Sequence, residues 1–270
     1  MDEALREPER ADSGIKGEKV NRTMTLAVDL GCKITSGALA AGTILPTEAE
    51  FQQRYSVSRT VVREAIRHIA SKGLVTVGPK VGTRVRHSND WNMLDAEVMR
   101  WHLMVGNRRP FVEALYEMRL INEPEAARLA ASRISEEQSA RLAEALQAMA
   151  DNPRGSPELI AADLAFHRII LEATGNPILR SLGTMIERSL SISFSLSWRQ
   201  NPQEETVRQH ARVYDAIRRG DGEAAGLFMR RLIESAAQDV IDSLYSQPEA
   251  NPVDKNAPKS ASPMTNMQVQ

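Results

Sequence analysis

The chain has 270 residues, with 34 Lys and Arg against 35 Asp and Glu, a net charge of −1 and one cysteine. That length holds one large or two medium domains, and a hydrophobic share of 42% excludes a wholly disordered chain. The lone Cys32 excludes an intrachain disulfide, no apolar run approaches the roughly 20 residues that span a bilayer, and the charged start MDEALREPERADSG has no secretory core. Together these features fit a cytoplasmic protein with no membrane segment. Frequent Ala, Leu, Arg and Glu, with few aromatics, favour helices.

Residues 1–19 read as a disordered leader, and a first helix is expected from Val20 to about Gly37. Pro46, Thr47 and Glu50 then spell a capping box, which opens a helix ending near Tyr55. Ser56 and Val57 fit a tight turn, and Ser58 caps a second helix running to Ser71. In that helix Val62, Ile66 and Ile69 fall on an inward face, while Arg59, Arg63 and Arg67 fall at i, i+4 and i+8 on another. Three arginines so spaced repel one another, so an isolated helix gains nothing from them. They make sense facing phosphates or guanine edges, the plain alternative being a solvated face.

Gly73 reads as a left-handed cap, and LVTV and TRVR form a hairpin around GPKVG with Lys80 near its tip. Helix, turn, helix and hairpin in this order make a winged helix-turn-helix over residues 20–88, a device that sets its second helix in the DNA major groove. Local charge agrees. From Val20 to His87 there are ten basic residues (Arg22, Lys33, Arg54, Arg59, Arg63, Arg67, Lys72, Lys80, Arg84, Arg86) and four acidic ones (Asp29, Glu48, Glu50, Glu64), leaving +6 there and −7 elsewhere. A basic module on an acidic partner is the footprint of a DNA reader. Ser58, Arg59, Thr60, Arg63 and Lys80 are the candidate DNA contacts.

After the polar linker HSNDWN, residues 89–246 are patterned as helices near Leu94–Val105, Pro110–Ser132, Glu136–Asp151, Pro157–Thr174, Pro177–Trp198, Glu204–Gly220 and Gly222–Ser246. GNRRP, DNPRGSP, TGNP, RQNP and RGDG separate them. The fold class is therefore mainly α: a winged helix-turn-helix followed by a bundle of about seven helices. Residues 247–270, rich in Pro, Asn and Ser, read as a disordered tail.

Three polar residues interrupt the apolar faces of the bundle. Asp163 and His167 lie one turn apart in the stripe of Ile160 and Ile170, and His210 shares a face with Val207, Tyr214 and Ile217. One Asp and two His facing a core suit a divalent metal such as Zn, Ni or Mn. The simpler alternative is a buried Asp–His hydrogen bond, with the second His satisfied by a carbonyl. Arg119 offers either an intrahelical pair with Glu123 or a guanidinium fork for a carboxylate ligand. A metal-dependent hydrolase using Asp163, His167 and His210 is the alternative function. It lacks a spare general base, a nucleophile elbow or a phosphate loop, so the chain is not read as an enzyme.

The segment Leu45–Val85, through LPTEAE, VSRTVVREAIRHIASKGL and VGTRV, closely resembles the DNA-binding module of the GntR family of bacterial transcription regulators. The helical part resembles the FCD effector domain of its FadR subfamily, through YEMRLINEPEAARLAA, DLAFH, ATGNPIL and HARVYDAIRRGDGEAA. The resemblance implies a homodimer on a near-palindromic double-stranded operator, with a small organic acid as effector. It implies operator contacts at Arg59 and Arg63. A further family arginine is replaced by Ala49, and the family wing has Gly at the position of Lys80 and basic residues at those of Gly78 and Val81. Metal-binding members use one Asp and three His. Asp163, His167 and His210 match three of these, and Leu232 stands at the fourth. The effector is expected near Arg119, His167, His210 and Asn176. WNMLDAEVMRW is similar to the linker of galactonate-type sugar-acid repressors, which points to an aldonate and to a repressor that a small carboxylate releases.

Overall fold

The computed structural model describes residues 12–78, 81–105, 108–183, 186 and 203–245, with side chains from 22 to 244. The described residues are mainly helical with one two-stranded sheet among them, as the sequence pattern predicts. Among the described residues no helix is long and apolar enough to cross a membrane.

Helix α1 (Asp12–Thr35) begins within the stretch read as a leader. Its Leu26, Leu30 and Ile34, four apart, form a buried stripe. Onto it pack Phe51 of α2 (Glu48–Tyr55) and Val62, Ala65, Ile66 and Ile69 of α3 (Arg59–Ser71). Each buried side chain of this size contributes roughly 1.5–3 kcal/mol, which two short helices alone do not accumulate. The capping box forms as written: Thr47 N donates to Glu50 Oε2 at 2.7 Å, and Glu50 N donates to Thr47 Oγ1 at 3.3 Å. Ser56, in the left-handed region at φ 52°, closes α2, and Ser58 Oγ accepts from Val61 N to open α3.

Strands β1 (Val75–Gly78) and β2 (Gly82–Val85) pair antiparallel, with Val75 opposite Val85 and Gly78 opposite Gly82. Ile44 adds a bridge to Arg84, a contact that a lone apolar residue outside any periodic run does not announce. The wing tip, with Lys80, lies outside the described residues. Gly73 between α3 and β1 has φ +80°, and a Cβ there would lie 2.5 Å from the Asp90 carbonyl oxygen, so both conformation and space demand glycine.

Beyond a 3₁₀ turn (Ser88–Asp90), α4 (Ala96–Met104) is shared between two cores. Its Val98 and Trp101 are fully buried in the N-terminal core, whereas Leu103 belongs to the second. Trp101 lies so close to α1 that a Cβ on Gly31 would be 2.5 Å from its ring. Asp95 caps α4 by accepting from Glu97 N and Val98 N, and also binds Lys72 Nζ at 2.9 Å. Lys72 reaches Glu97 at 2.7 Å, and His68 of α3 lies 2.9 Å from the same carboxylate. On the other side His102 stacks on Phe111 with ring centroids 4.6 Å apart.

The second core joins α5 (Arg109–Arg133), α6 (Glu136–Asp151), α7 (Pro157–Ala173), α8 (helical over 177–183), α9 (Gln203–Arg218) and α10 (Gly222–Tyr245). Here α5 lies along α10, and α6 packs on α7 and α9. Ser135 with Gln138, and Ser156 ahead of Pro157, cap α6 and α7. Of the remainder of the helix expected to Trp198, Ile186 is described and buried in this core, and the rest lies outside the described residues.

Two expectations follow. Gly31→Ala gains about 1 kcal/mol of helix propensity but forces Trp101 aside, an overpacking cost of roughly 1–3 kcal/mol. The net effect is a lower Tm and an altered tryptophan emission, both read in a thermal melt. At the α3–α4 junction, burial pushes Asp95 upward, yet Lys72 and two backbone amides hold it below the ordinary carboxylate range. Burial opposes the charge on Lys72, yet Glu97 and Asp95 hold its pKa above the ordinary value. The Asp95 contribution is therefore complete above about pH 4, the unfolded carboxylate value, and is lost as pH falls through the lower folded value. Lys72→Met lowers stability at pH 7 by on the order of 1–3 kcal/mol, and the gap to the unaltered protein narrows in melts below about pH 4.

Candidate DNA-binding face and buried polar site

Burial of Val61, Val62, Ala65, Ile66 and Ile69 leaves the opposite side of α3 in solvent. Arg59, Arg63 and Arg67 stand there with side chains 70%, 53% and 67% exposed. Thr60 is exposed beside them, and Ser58 is exposed at the helix start, with its hydroxyl engaged in the cap. The arginines are not idle. Arg59 Nε lies 2.6 Å from Glu48, Arg63 Nε 3.6 Å from the same carboxylate, and Arg67 2.8 Å from Glu64. Exposed pairs of this kind are worth up to about 1 kcal/mol, little enough to be exchanged for phosphates. The described wing residues offer apolar side chains, Val77 at 60% and Val81 at 53% exposed. Arg84 donates to the Gly42 carbonyl at 2.8 Å.

The second assembly is buried between α5, α7 and α9. Asp163, His167 and His210 are all buried, and one donor atom from each lies within 4.8 Å of the others. His210 Nε2 is 2.8 Å and His167 Nε2 3.9 Å from Asp163 Oδ1. The far nitrogen of each ring is also met. His210 Nδ1 lies 2.8 Å from the Thr206 carbonyl oxygen, and His167 Nδ1 lies 2.6 Å from Glu123 Oε2. Arg119 Nε donates to Glu123 Oε1 at 2.6 Å, and its guanidinium sits 5.3 Å from the Tyr116 ring centroid. Phe166 packs edge-on against both imidazoles.

The electrostatics follow from this crowding. Burial pushes Glu123 up, but Arg119 and His167 outweigh it and hold the carboxyl down at about 2. Burial likewise opposes Asp163, which His210, His167 and Arg119 hold below its ordinary range. Tyr116 is pushed up to about 12, chiefly by burial. Both carboxylates therefore remain ionised inside the core. Asp163 Oδ2, His210 Nε2, His167 Nδ1 and Arg119 Nη1 have no aligned hydrogen bond. The short approaches at the two ring nitrogens are contacts off the line of a straight bond. An N, N, O donor set with orphaned buried atoms has the chemistry to hold a divalent cation, each imidazole being backed by an acceptor.

Of the residues expected here from sequence, Arg119, Asp163, His167 and His210 come together. Arg119 adopts the intrahelical pair with Glu123. Asn176 stands apart: it is exposed, and its Oδ1 accepts from Ile178 N and Leu179 N to cap α8. Leu232 is 4% exposed in the core of α10 and brings no donor. Sequence reasoning treated Glu123 only as a partner for Arg119. The Thr206 carbonyl meets His210, the kind of partner that the simpler reading expected for a buried histidine, although no residue type marks which carbonyl it is.

Residues 25–85 match the family model described as bacterial regulatory proteins, gntR family, and residues 114–235 match the FCD domain. The galactonate operon transcriptional repressor of Escherichia coli K12 is 30% identical over 221 residues, spanning 81% of this chain and 96% of that protein. The uncharacterised regulator YieP of the same organism is 34% identical, spanning 80% and 94%. A solved structure of the Listeria monocytogenes protein Lar superposes with a TM-score of 0.57 at 19% identity, covering 84% of this chain and 97% of that one, a likeness of fold. The family and these relatives are transcription regulators rather than enzymes, and the hydrolase reading of Asp163, His167 and His210 falls. A basic helix face on a small winged core, joined to a helical body with a buried polar centre, is thus matched in both halves: the chain belongs to the GntR family of bacterial transcription regulators, of the FadR type that carries an FCD domain.

Proposed function

We propose that this protein is a homodimeric, cytoplasmic repressor that a small carboxylate, such as an aldonate sugar acid, releases from a near-palindromic operator. The observation that carries the DNA half is the exposed arginine row on α3, opposite a fully buried face. Two-fold symmetry places two such helices in major grooves roughly 34 Å apart. Arg59 and Arg63 are the assigned contacts to bases or phosphates, with Thr60 beside them and Ser58 setting the helix start. Lys80, in the wing, completes the set from sequence alone.

The effector half rests on the buried polar centre. Asp163, His167 and His210 would hold a divalent cation (Zn, Ni or Mn), whose positive charge supplies a point of attachment for a carboxylate. With Leu232 at the place of a fourth family ligand, three protein donors leave room for a ligand oxygen. Arg119, with one Nη free of an aligned partner, is the further cation for an anionic effector. The galactonate repressor among the relatives favours a sugar acid. Effector binding must favour one placement of the two DNA modules, since only differential affinity shifts an equilibrium, and DNA and effector then oppose each other by the same factor.

Arg63→Ala is expected to abolish operator retention in a gel-shift while leaving the melt unchanged, because its side chain touches no core. In salt titrations, a residual complex has a log–log slope smaller by about 1 if the lost contact was to phosphate. Tight binding by the variant removes Arg63 from the interface. For the second half, saturating Zn²⁺ raises the Tm of the unaltered protein, by about 2.7 kcal/mol of stability at a hundredfold excess over Kd. His210→Ala loses that shift. A screen of sugar acids with and without metal identifies the effector class, and a protein indifferent to every acid and every metal contradicts this reading.

A further inference from the structure

On the side of His167 away from Asp163 lies a carboxylate outside the convergent donor set. Glu123 is 1% exposed, with Oε2 at 2.6 Å from His167 Nδ1 and Oε1 at 2.6 Å from Arg119 Nε. Its reach to the three convergent side chains, as far as the described contacts go, is through that imidazole alone. The two histidines are thus backed unequally: His210 by the neutral Thr206 carbonyl, His167 by a full negative charge.

An imidazole has two neutral tautomers, and Nε2 offers a lone pair only when the proton sits on Nδ1. A carboxylate 2.6 Å from Nδ1, even off the line of a straight bond, favours the proton on that nitrogen by its charge and restrains rotation of the ring. Arg119 closes the chain from the other side. Its Nε and Nη2 take Glu123 at 2.6 and 3.4 Å, so the carboxylate is anchored from the same helix one turn earlier.

We propose that Glu123 is a positioning residue: it holds His167 as the Nδ1–H tautomer with Nε2 turned toward Asp163, its lone pair already set to donate to a cation at this centre. The donor part rests on the metal reading given above, and the tautomer part does not. The order of action is Arg119 to Glu123 to His167, three residues in a row with one function.

The test compares the full-length protein with Glu123→Gln and with the double variant Arg119→Met/Glu123→Met. The double variant removes both charges together and leaves no unpaired guanidinium in the core. Imidazole ¹⁵N spectra read the His167 tautomer without metal, and competition against a chromophoric chelator at one pH reads the Zn²⁺ affinity. The unaltered protein is expected to show His167 in the single Nδ1–H form. Both variants are expected to show mixed or inverted tautomers and a tenfold to hundredfold weaker Zn²⁺ affinity. Unchanged tautomer and unchanged affinity in a folded double variant would overturn the proposal and leave Glu123 as a mere partner for Arg119. A shifted tautomer in variants of a protein that takes up no Zn²⁺ would instead overturn the metal reading while the positioning role stands.

Discussion

Arg119, Glu123, Asp163, His167 and His210 lie at the centre of a helical core, none more than 4% exposed. Withdrawing a charge from water costs several kcal/mol unless an opposite charge and hydrogen bonds meet it. Helices α5, α7 and α9 are therefore not free to settle wherever their apolar stripes allow. The i, i+4 spacing puts Arg119 over Glu123 on α5 and Asp163 over His167 on α7, and the two pairs must then face each other and His210. Apolar residues such as Phe166, Ile170 and Val213 supply the adhesion, and the charges set the register. Apolar replacements of similar volume would hold the same helices about as firmly. The cluster thus contributes less to adhesion than to fixing which helix faces meet.

Among the described residues, contacts of α4 join the helical body to the arginine-bearing helix. His102 stacked on Phe111 ties α4 to α5, and Lys72 and His68 tie α3 to Asp95 and Glu97 at the start of α4. The contact of Trp101 with Gly31 locks the same helix to α1. Helix α4 thus touches α5 on one side and, on the other, the C-terminal end of the helix whose exposed face bears the arginines.

Much of this was legible in the sequence where local rules dominate. The capping box at Thr47 and Glu50, the αL glycine at position 73 and the inward stripe of α3 follow from spacing and residue type. The inward placement of Asp163, His167 and His210 followed from apolar periodicity, since each shares a face with isoleucines and valines. Other features depended on partners remote in the chain. Glu123 looked like half of an intrahelical pair with Arg119 until α7 was laid across it, and Asn176, read as an effector contact, has its side-chain oxygen engaged in capping α8. The polar segment HSNDWN read as a linker, yet its Asn92 N donates to the Lys72 carbonyl at 2.9 Å, and just beyond it Asp95 and Glu97 staple the start of α4 to α3, because a half-buried ion network has no local sequence signature.

Helix α4 has one further consequence. Val98 and Trp101 complete one apolar interior, and Leu103, two positions on, completes the other. When either half melts, side chains of this helix are stripped from one interior, so loss of one half should lower the melting temperature of the other.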